Sequence, residues 1–268
     1  MPSDERIFVK AIRKYCAQHG IAVDVRAGGW LIAMRRGAHR HFALGYDIGI
    51  NSAIAHRLAS DKCATAEVLA LSGVPCIPHH LFLNPNLGAH IAAPGWRETM
   101  LGLLARHPQG LVVKPNEGTA GRSVFKVTNP RELERAVADV FASSSALAIS
   151  PFVDIEQEVR VTLLDRMPMV VYRKERTSGW RHNLDAGARP VLIEQGEIRD
   201  ACATMAIDAA RAIGIDFASI DLVHADGGWK VLEINSGVMM EVLGKFCPDL
   251  VDAIYAAALD RIFDETAR

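Results

Sequence analysis

The stretch 218–235, ASIDLVHADGGWKVLEIN, decides how this chain is read. Two runs rich in Ile, Leu and Val flank Asp226-Gly227-Gly228, and glycines at such a point supply the positive φ that a tight hairpin needs. A three-residue loop pairs Ala225 with Trp229. Counting back by twos, Asp221 then stands directly opposite Glu233, and Asn235 shares their face because strand side chains alternate. The other face carries Ile220, Leu222, Leu232 and Ile234, which is a core.

Carboxylates opposed in this way have Cβ atoms roughly 5 Å apart and repel unless a positive charge lies between them. A divalent cation relieves the conflict. Two carboxylates and an amide oxygen, without His or Cys, are the hard donors that magnesium takes together with water and nucleotide phosphates. The alternative for this stretch alone is a solvated hairpin face carrying two acids, so its neighbours must choose.

Upstream, residues 111–125 read LVVKPNEGTAGRSVF: a buried-looking strand ending near Lys114, a loop containing Gly118 and Gly121, then a second strand. Such a loop can bring backbone N–H groups close to phosphates. It is no P-loop, because the GK[ST] ending is missing and a strand follows where a helix should; an ordinary hairpin is the alternative. Lys62 opens a helix in SDKCAT, Arg160 sits in EVRVTLL, and Arg173, Lys174 and Arg176 cluster in YRKER. Taken singly, each reads as a solvated charge. Arg160 and Lys174, however, occupy otherwise apolar strands, where unpaired charge is costly to bury, and a bound polyanion is a natural counter-ion.

Around these segments, apolar spacing predicts a helix over 4–19 stopped by Gly20, then short strands or hairpins to about residue 44. A helical pattern over 52–72 contains Ser60 or Asp61 as an internal cap. Strands follow at 76–83, 111–115 and 123–127, with a helix over 96–106 before the latter two. A helix over 131–141 is capped by Asn129 with Pro130 and Glu132 behind it. Strands at 147–153, 158–165 and 167–175, a loop over 177–189, and helices over 198–213 and 249–263 complete the pattern.

With 268 residues, half of them apolar, the chain can bury a core sufficient for one large domain or two smaller ones. Thirty Lys and Arg against 31 Asp and Glu give no net field to attract nucleic acid or an anionic membrane. The five cysteines show no CxxC pair, which argues against a disulfide framework or a zinc site. No signal-like or membrane-spanning run occurs, so the cytoplasm is the expected compartment. His39, His41, His79 and His80 lack carboxylate company at metal spacing and read as structural.

Taken in order, SDKCATAEVLALSGVP, LVVKPNEGTAGRSVF, ISPFVDIEQEVRVTLLD, YRKER, RHNLDAGA and SIDLVHADGGWKVLEINS resemble the ATP-grasp superfamily. The likeness is strongest to the branch holding glutathione synthetases, cyanophycin synthetase and the glutamate ligase that modifies a ribosomal protein. It covers about residues 50–245. The resemblance implies an α+β ATP-grasp fold in which two subdomains clamp ATP. A short N-terminal α/β region over 1–55 would precede a lid-bearing subdomain over 56–150 and a metal-binding one over 151–268.

By the same resemblance, Lys62 and Lys114 contact phosphates and adenine-side groups, and the segment from Glu117 through Gly118, Thr119 and Gly121 to Ser123 is the flap over the triphosphate. Ser150, Pro151, Phe152 and Val153 form the adenine hinge, and Glu158 takes the ribose or lies close to it. Arg160 and Lys174 hold phosphates, Asn183 lies beside metal and phosphate, and Asp221, Glu233 and Asn235 hold magnesium. Arg176, Arg181, Arg189 and Ser236 fall on the substrate side, with Arg189 also a candidate for the acyl phosphate. Arg122-Ser123 stands where many relatives have a second glycine, and Ser150-Pro151 where they have an acidic residue. The leading region is shorter than the domain preceding ATP-grasp in many relatives, which leaves part of the acceptor pocket to a second copy of the chain.

The activity implied is ligation: ATP and Mg2+ activate a small-molecule carboxylate, an amino acid or peptide, as an acyl phosphate that an amine converts to an amide. A phosphotransferase on the same fold and a non-catalytic ATP-binding module are the rivals.

Overall fold

The computed structural model describes residues 5–88, 93–118, 122–175 and 189–264. Its first element, α1 (Ile7–Gln18), places Phe8, Ala11, Ile12 and Tyr15 on one buried stripe at helical spacing. An antiparallel meander follows: β1 (Ala22–Arg26), β2 (Leu31–Arg36) and β3 (His39–Leu44). Next come α2 (Ala53–Ser60) and α3 (Lys62–Leu71), broken between them at Asp61. Asp61 ends one helix and caps the next, its Oδ1 accepting from Ala64 N at 2.8 Å, as the internal cap in the sequence predicted.

A four-stranded antiparallel sheet then forms from β4 (His80–Leu83), β5 (Leu111–Pro115), β6 (Phe125–Val127) and β7 (Ala146–Pro151), in the order β4-β7-β5-β6. The helices α4 (Trp96–Arg106) and α5 (Pro130–Phe141) cover one face, burying Met100, Leu103, Leu133 and Val140 against Leu111, Val113, Leu147 and Ile149. The central sheet is larger. Its strands β8 (Gln157–Leu164), β9 (Met167–Lys174), β10 (Pro190–Leu192), β11 (Phe217–Ala225) and β12 (Gly228–Asn235) lie in the order β10-β9-β8-β11-β12, all antiparallel. On one face α2, α3 and α6 (Glu197–Ile213) pack against Val159, Val161, Ile220 and Leu222, with Ala206, Ala209 and Ala210 of α6 all buried there.

The opposite face is apolar only at one end. Leu164, Val170, Tyr172 and Phe217 there join a core shared with α1, the first meander and the C-terminal helices α7 (Glu241–Phe246) and α8 (Pro248–Phe263). Glu241 ties these parts together: its carboxylate accepts from the unpaired N-terminal amides of α1, Ile7 N at 2.7 Å and Phe8 N at 3.1 Å, and from Tyr46 Oη at 3.2 Å. The N-terminal helix is thus capped by a residue only a few positions beyond Asn235.

Three sequence expectations are corrected. The acidic hairpin closes through a two-residue loop, with Asp226 and Gly227 both at positive φ (51° and 77°), so Ala225 pairs with Gly228 and not Trp229. That is the turn Asp-Gly favours. A β-bulge restores the register: Leu222 pairs with Val231 and Asp221 with Glu233, leaving Leu232 as the extra residue. Val231 consequently takes the core position expected of Leu232. Residues 76–83 do not make one strand. Cys76 bridges to Val231, with Ile77 N donating to Val231 O at 2.9 Å, whereas residues 80–83 pair with β7, so the segment crosses from one sheet to the other at Pro78-His79. Finally, β10 and α7 lie in stretches to which the sequence pattern assigned no element.

Replacing Glu241 with Ala leaves two helix amides and a tyrosine hydroxyl without their acceptor. A loss of about 1–2 kcal/mol is expected in urea unfolding, larger than for Glu5→Ala at the exposed start of the same region.

Candidate active site

The charged end of that second face is built by strand register. Asp221 stands between Arg160 of β8 and Glu233 of β12, one on each side. Arg160 grips it in a two-point contact, Nε to Oδ1 at 2.7 Å and Nη2 to Oδ2 at 2.6 Å, and Lys174 Nζ lies 2.9 Å from Oδ1. Lys174 also donates to Glu158 Oε1. Burial alone would raise the Asp221 carboxyl, but the two cations outweigh it and hold the group well below the usual carboxylate range. Glu158 behaves oppositely: burial pushes it up to about 7 despite the pull of Lys174. It is buried and paired with Lys174.

Asn235 completes the cluster, its amide nitrogen 3.3 Å from Glu233 Oε1 and 3.5 Å from Asp221 Oδ2. The three residues chosen from the hairpin do converge. Asp221 Oδ1 already receives two donors, so Glu233 and the amide of Asn235 hold the more open oxygens. Reversing that amide, whose O and N are assigned from hydrogen bonding alone, would turn its oxygen toward them. Two carboxylates and an amide oxygen suit a hard divalent cation, and the fit is best at Glu233 and Asn235.

Lys114 reaches the cluster from the other sheet. It is 8% exposed, and among the described residues it has no hydrogen-bond or ion-pair partner. Burial lowers its ammonium to about 8, with the charge of Glu233 the largest influence holding it up and Lys62 pressing it further down. Lys62 donates to the carbonyls of Asn116 at 3.3 Å and Gly118 at 3.0 Å, which puts it at the base of the glycine loop. Sequence reasoning missed Asn116, which is buried: its Oδ1 accepts from Cys63 N at 3.1 Å and its carbonyl from Lys62 N at 3.3 Å, fixing the start of α3 against the end of β5. Its place between Pro115 and Glu117 in the glycine segment was the available signal.

The remaining predicted positions are distributed as follows. Ser150 and Pro151 end β7 and pair with Val112 and Leu111, whereas β4 pairs only as far as Ile149 and leaves that edge of β7 uncovered. Phe152 N donates to Gly110 O at 3.0 Å and its ring lies under Lys126; Val153 is half-buried. Glu117, Gly118 and Ser123 are exposed, Ser123 with φ of 53°. Arg189 rests on the ring of Phe246 at 5.2 Å, and Ser236 is buried just beyond Asn235. Thr119, Gly121, Arg176, Arg181 and Asn183 lie outside the described residues. On the same face, Thr162 and Ser219 hydrogen-bond at 3.0 Å between the charged and apolar ends, a pair the sequence reading passed over.

Comparison with known proteins gives this arrangement a family. Residues 59–253 match the model described as the RimK-like ATP-grasp domain. A protein named probable alpha-L-glutamate ligase from Pasteurella multocida is 25% identical over 230 residues, covering 84% of this chain and 68% of its own. One of the same name from Haemophilus ducreyi is 26% identical over 230 residues, covering 82% and 65%. Among solved structures, D-alanine–D-alanine ligase from Bacillus anthracis, complexed with ATP, superposes with a TM-score of 0.61 at 20% identity, over 80% of this chain and 68% of that one. The bifunctional glutathione synthetase from Pasteurella multocida gives 0.56 at 14% identity, over 89% and 40%. Those two likenesses speak to the fold. Because the matched domain spans well over half of its length, the chain belongs to the RimK-like ATP-grasp family.

Proposed function

We propose that this chain is an ATP-dependent ligase that joins a carboxylate to an amine. The observation that carries the reading is Lys114: a largely buried lysine with no carboxylate partner among the described residues, facing the field of Glu233 across two sheets. A partly desolvated charge without a protein counter-ion favours an anionic ligand, and a polyphosphate is the anion ATP-grasp proteins take. Membership of the family implies use of ATP. The clamp would lie between residues 56–150 and 151–268, with 1–55 packed behind.

In the reaction proposed, a carboxylate oxygen attacks the γ-phosphorus and ADP leaves, giving an acyl phosphate. The amine then attacks the acyl carbon, phosphate leaves, and the amine loses a proton. No protein nucleophile is needed. The residues bind, orient and neutralise: Lys114 and Lys62 on the phosphates, and Arg160 through Nη1, the nitrogen Asp221 does not use. Asp221 holds Arg160 and Lys174 in place and so fixes the direction of both cations. Glu233 and Asn235, with Asp221, would hold a magnesium ion, which would supply charge neutralisation at the phosphate oxygens. The uncovered edge of β7 at Ser150 and Pro151 offers backbone groups to adenine.

Glutamate enters through the names of the relatives, and we propose an amino acid of that kind as one substrate. Arg189 is exposed and stacked on Phe246, a guanidinium placed to meet a carboxylate; Arg176, Arg181, Asn183 and Ser236 are proposed alongside it. Among the described residues no helix is long and apolar enough to cross a membrane.

Incubation with ATP, magnesium and an amino-acid panel including L-glutamate should release ADP and phosphate together with a new amide mass. ATP hydrolysis without condensation, or a stable phosphorylated product, would overturn ligation. Glu233→Gln should cut turnover at least a hundredfold with an unchanged circular dichroism spectrum.

Lys114→Met supplies the sharper test. Removing an unpaired buried charge should leave unfolding stability equal or higher while nucleotide affinity falls at least tenfold. In the unmodified protein, the ammonium at about 8 titrates below its unfolded value of 10.5. The unfolded chain therefore binds more protons between those values, so this group's contribution to stability rises with pH there. Nucleotide affinity, which needs the charged form, should fall above pH 8. Isothermal titration at pH 7 and 9 reads it directly.

A further inference from the structure

His79, at the crossover between the two sheets, is 4% exposed. Its Nδ1 lies 2.9 Å from the carbonyl of Ile77, which assigns the ring proton to Nδ1 and leaves Nε2 as a lone-pair acceptor. That Nε2 is buried, and among the described residues it has no partner. A buried acceptor left unmade is costly, and native proteins carry few of them. The imidazole cannot escape by protonating: burial, and after it the charge of Lys114, hold its pKa well below the usual 6.5.

Strand pairing and proximity bring the two groups to one region. His79 directly precedes β4, where Leu81 pairs with Ala148, and Ala148 pairs on its other side with Lys114. That row lies on the sheet face opposite α4 and α5, and His79, just outside the strand, is near enough for the charge of Lys114 to act on its ring. That face is turned away from the core formed with α4 and α5 and toward the seam with the central sheet. A cavity of about 10 Å³, near the size of one water, is lined there by His79, Lys62, Thr65 and Glu233. The cavity thus adjoins an acceptor without a donor, and Lys114 is near enough for its charge to act on the same imidazole.

We infer that His79 is a positioning residue for the nucleotide site: its Nε2 lone pair receives an N–H of Lys114 across one water, and so orients the remaining N–H groups toward phosphate. From its sequence context alone, His79 reads as structural. A neutral imidazole suits the task better than a carboxylate, which would neutralise the lysine and weaken its hold on an anion. The inference rests on the reading of Lys114 as a phosphate ligand.

A double-mutant cycle on nucleotide affinity tests it, using titration calorimetry with a non-hydrolysable ATP analogue and magnesium. His79→Leu should weaken binding about tenfold without lowering the urea midpoint, and His79→Gln, which keeps an acceptor, should recover most of the loss. In the Lys114→Met background, His79→Leu should add nothing. Equal affinity for His79→Leu and wild type, or additive losses in the double variant, overturns the inference. If Lys114→Met itself binds as tightly as wild type, the phosphate role of Lys114 fails instead. Nitrogen-15 NMR of the unmodified protein gives a check independent of variants. The Nε2 resonance of His79 should be of the unprotonated type and move upfield when the analogue binds; an unmoved resonance counts against the role.

Discussion

Asp221 is 1% exposed in the middle strand region of the central sheet, and an ionised carboxylate at that depth is tolerable only with cations in contact. Arg160 and Lys174 supply them from the two neighbouring strands on one side, and Glu158 accepts from Lys174 beyond them. The members are bonded to one another, so none can be removed without stranding another. This makes it weak evidence for stability but strong evidence for geometry. With Arg160 held at two points, its guanidinium plane is fixed, and with Lys174 shared between Glu158 and Asp221, its ammonium cannot wander. Glu233 and Asn235, on the other side of Asp221, inherit fixed positions from the same pairing.

The face that carries this cluster changes character along its length. Register sets Phe217 opposite Leu164, Ser219 opposite Thr162, and Asp221 opposite Arg160, passing from apolar through hydroxyl to charged in two-residue steps. The apolar end needs cover, which α1, α7 and α8 provide, and the charged end must be left for something else. Glu241 joins the two requirements: the chain leaves β12 after Asn235, turns, and within six residues caps the helix that seals the apolar end. The N-terminal region is therefore held against the segment that follows the acidic strand, and its fold and the placement of Ser236 are mechanically linked.

Much of this was legible from the residues. Opposed acids on a hairpin, lysine and arginine in apolar strands, and glycines between strands each implied local chemistry, and the order of motifs implied the fold. The hairpin shows why a right answer can follow from a wrong intermediate. The turn is one residue shorter than the glycine pattern implies, and the bulge at Leu232 offsets it, so Asp221 still pairs with Glu233. Other features had no local signal. The split of residues 76–83 between two sheets depends on which strand edges are free after folding, and Pro75 and Pro78 alone do not reveal it. The pairing of Glu158 with Lys174 required knowing that β8 and β9 are neighbours, and a short edge strand such as β10 follows from an available edge more than from its three residues.

The distribution of unsatisfied groups completes the argument. Among the described residues, the buried side-chain atoms without a hydrogen-bond partner are Arg6 Nε, His56 Nδ1, Gln157 Oε1 and His79 Nε2, and of these only His79 Nε2 belongs to a group on whose charge Lys114 acts. Lys114 itself lies within the field of Glu233 and beside Lys62, and no carboxylate pairs with it among the described residues. An acceptor without a donor and a lysine without a carboxylate, close together, are what a polar ligand, anionic on the lysine side, would satisfy.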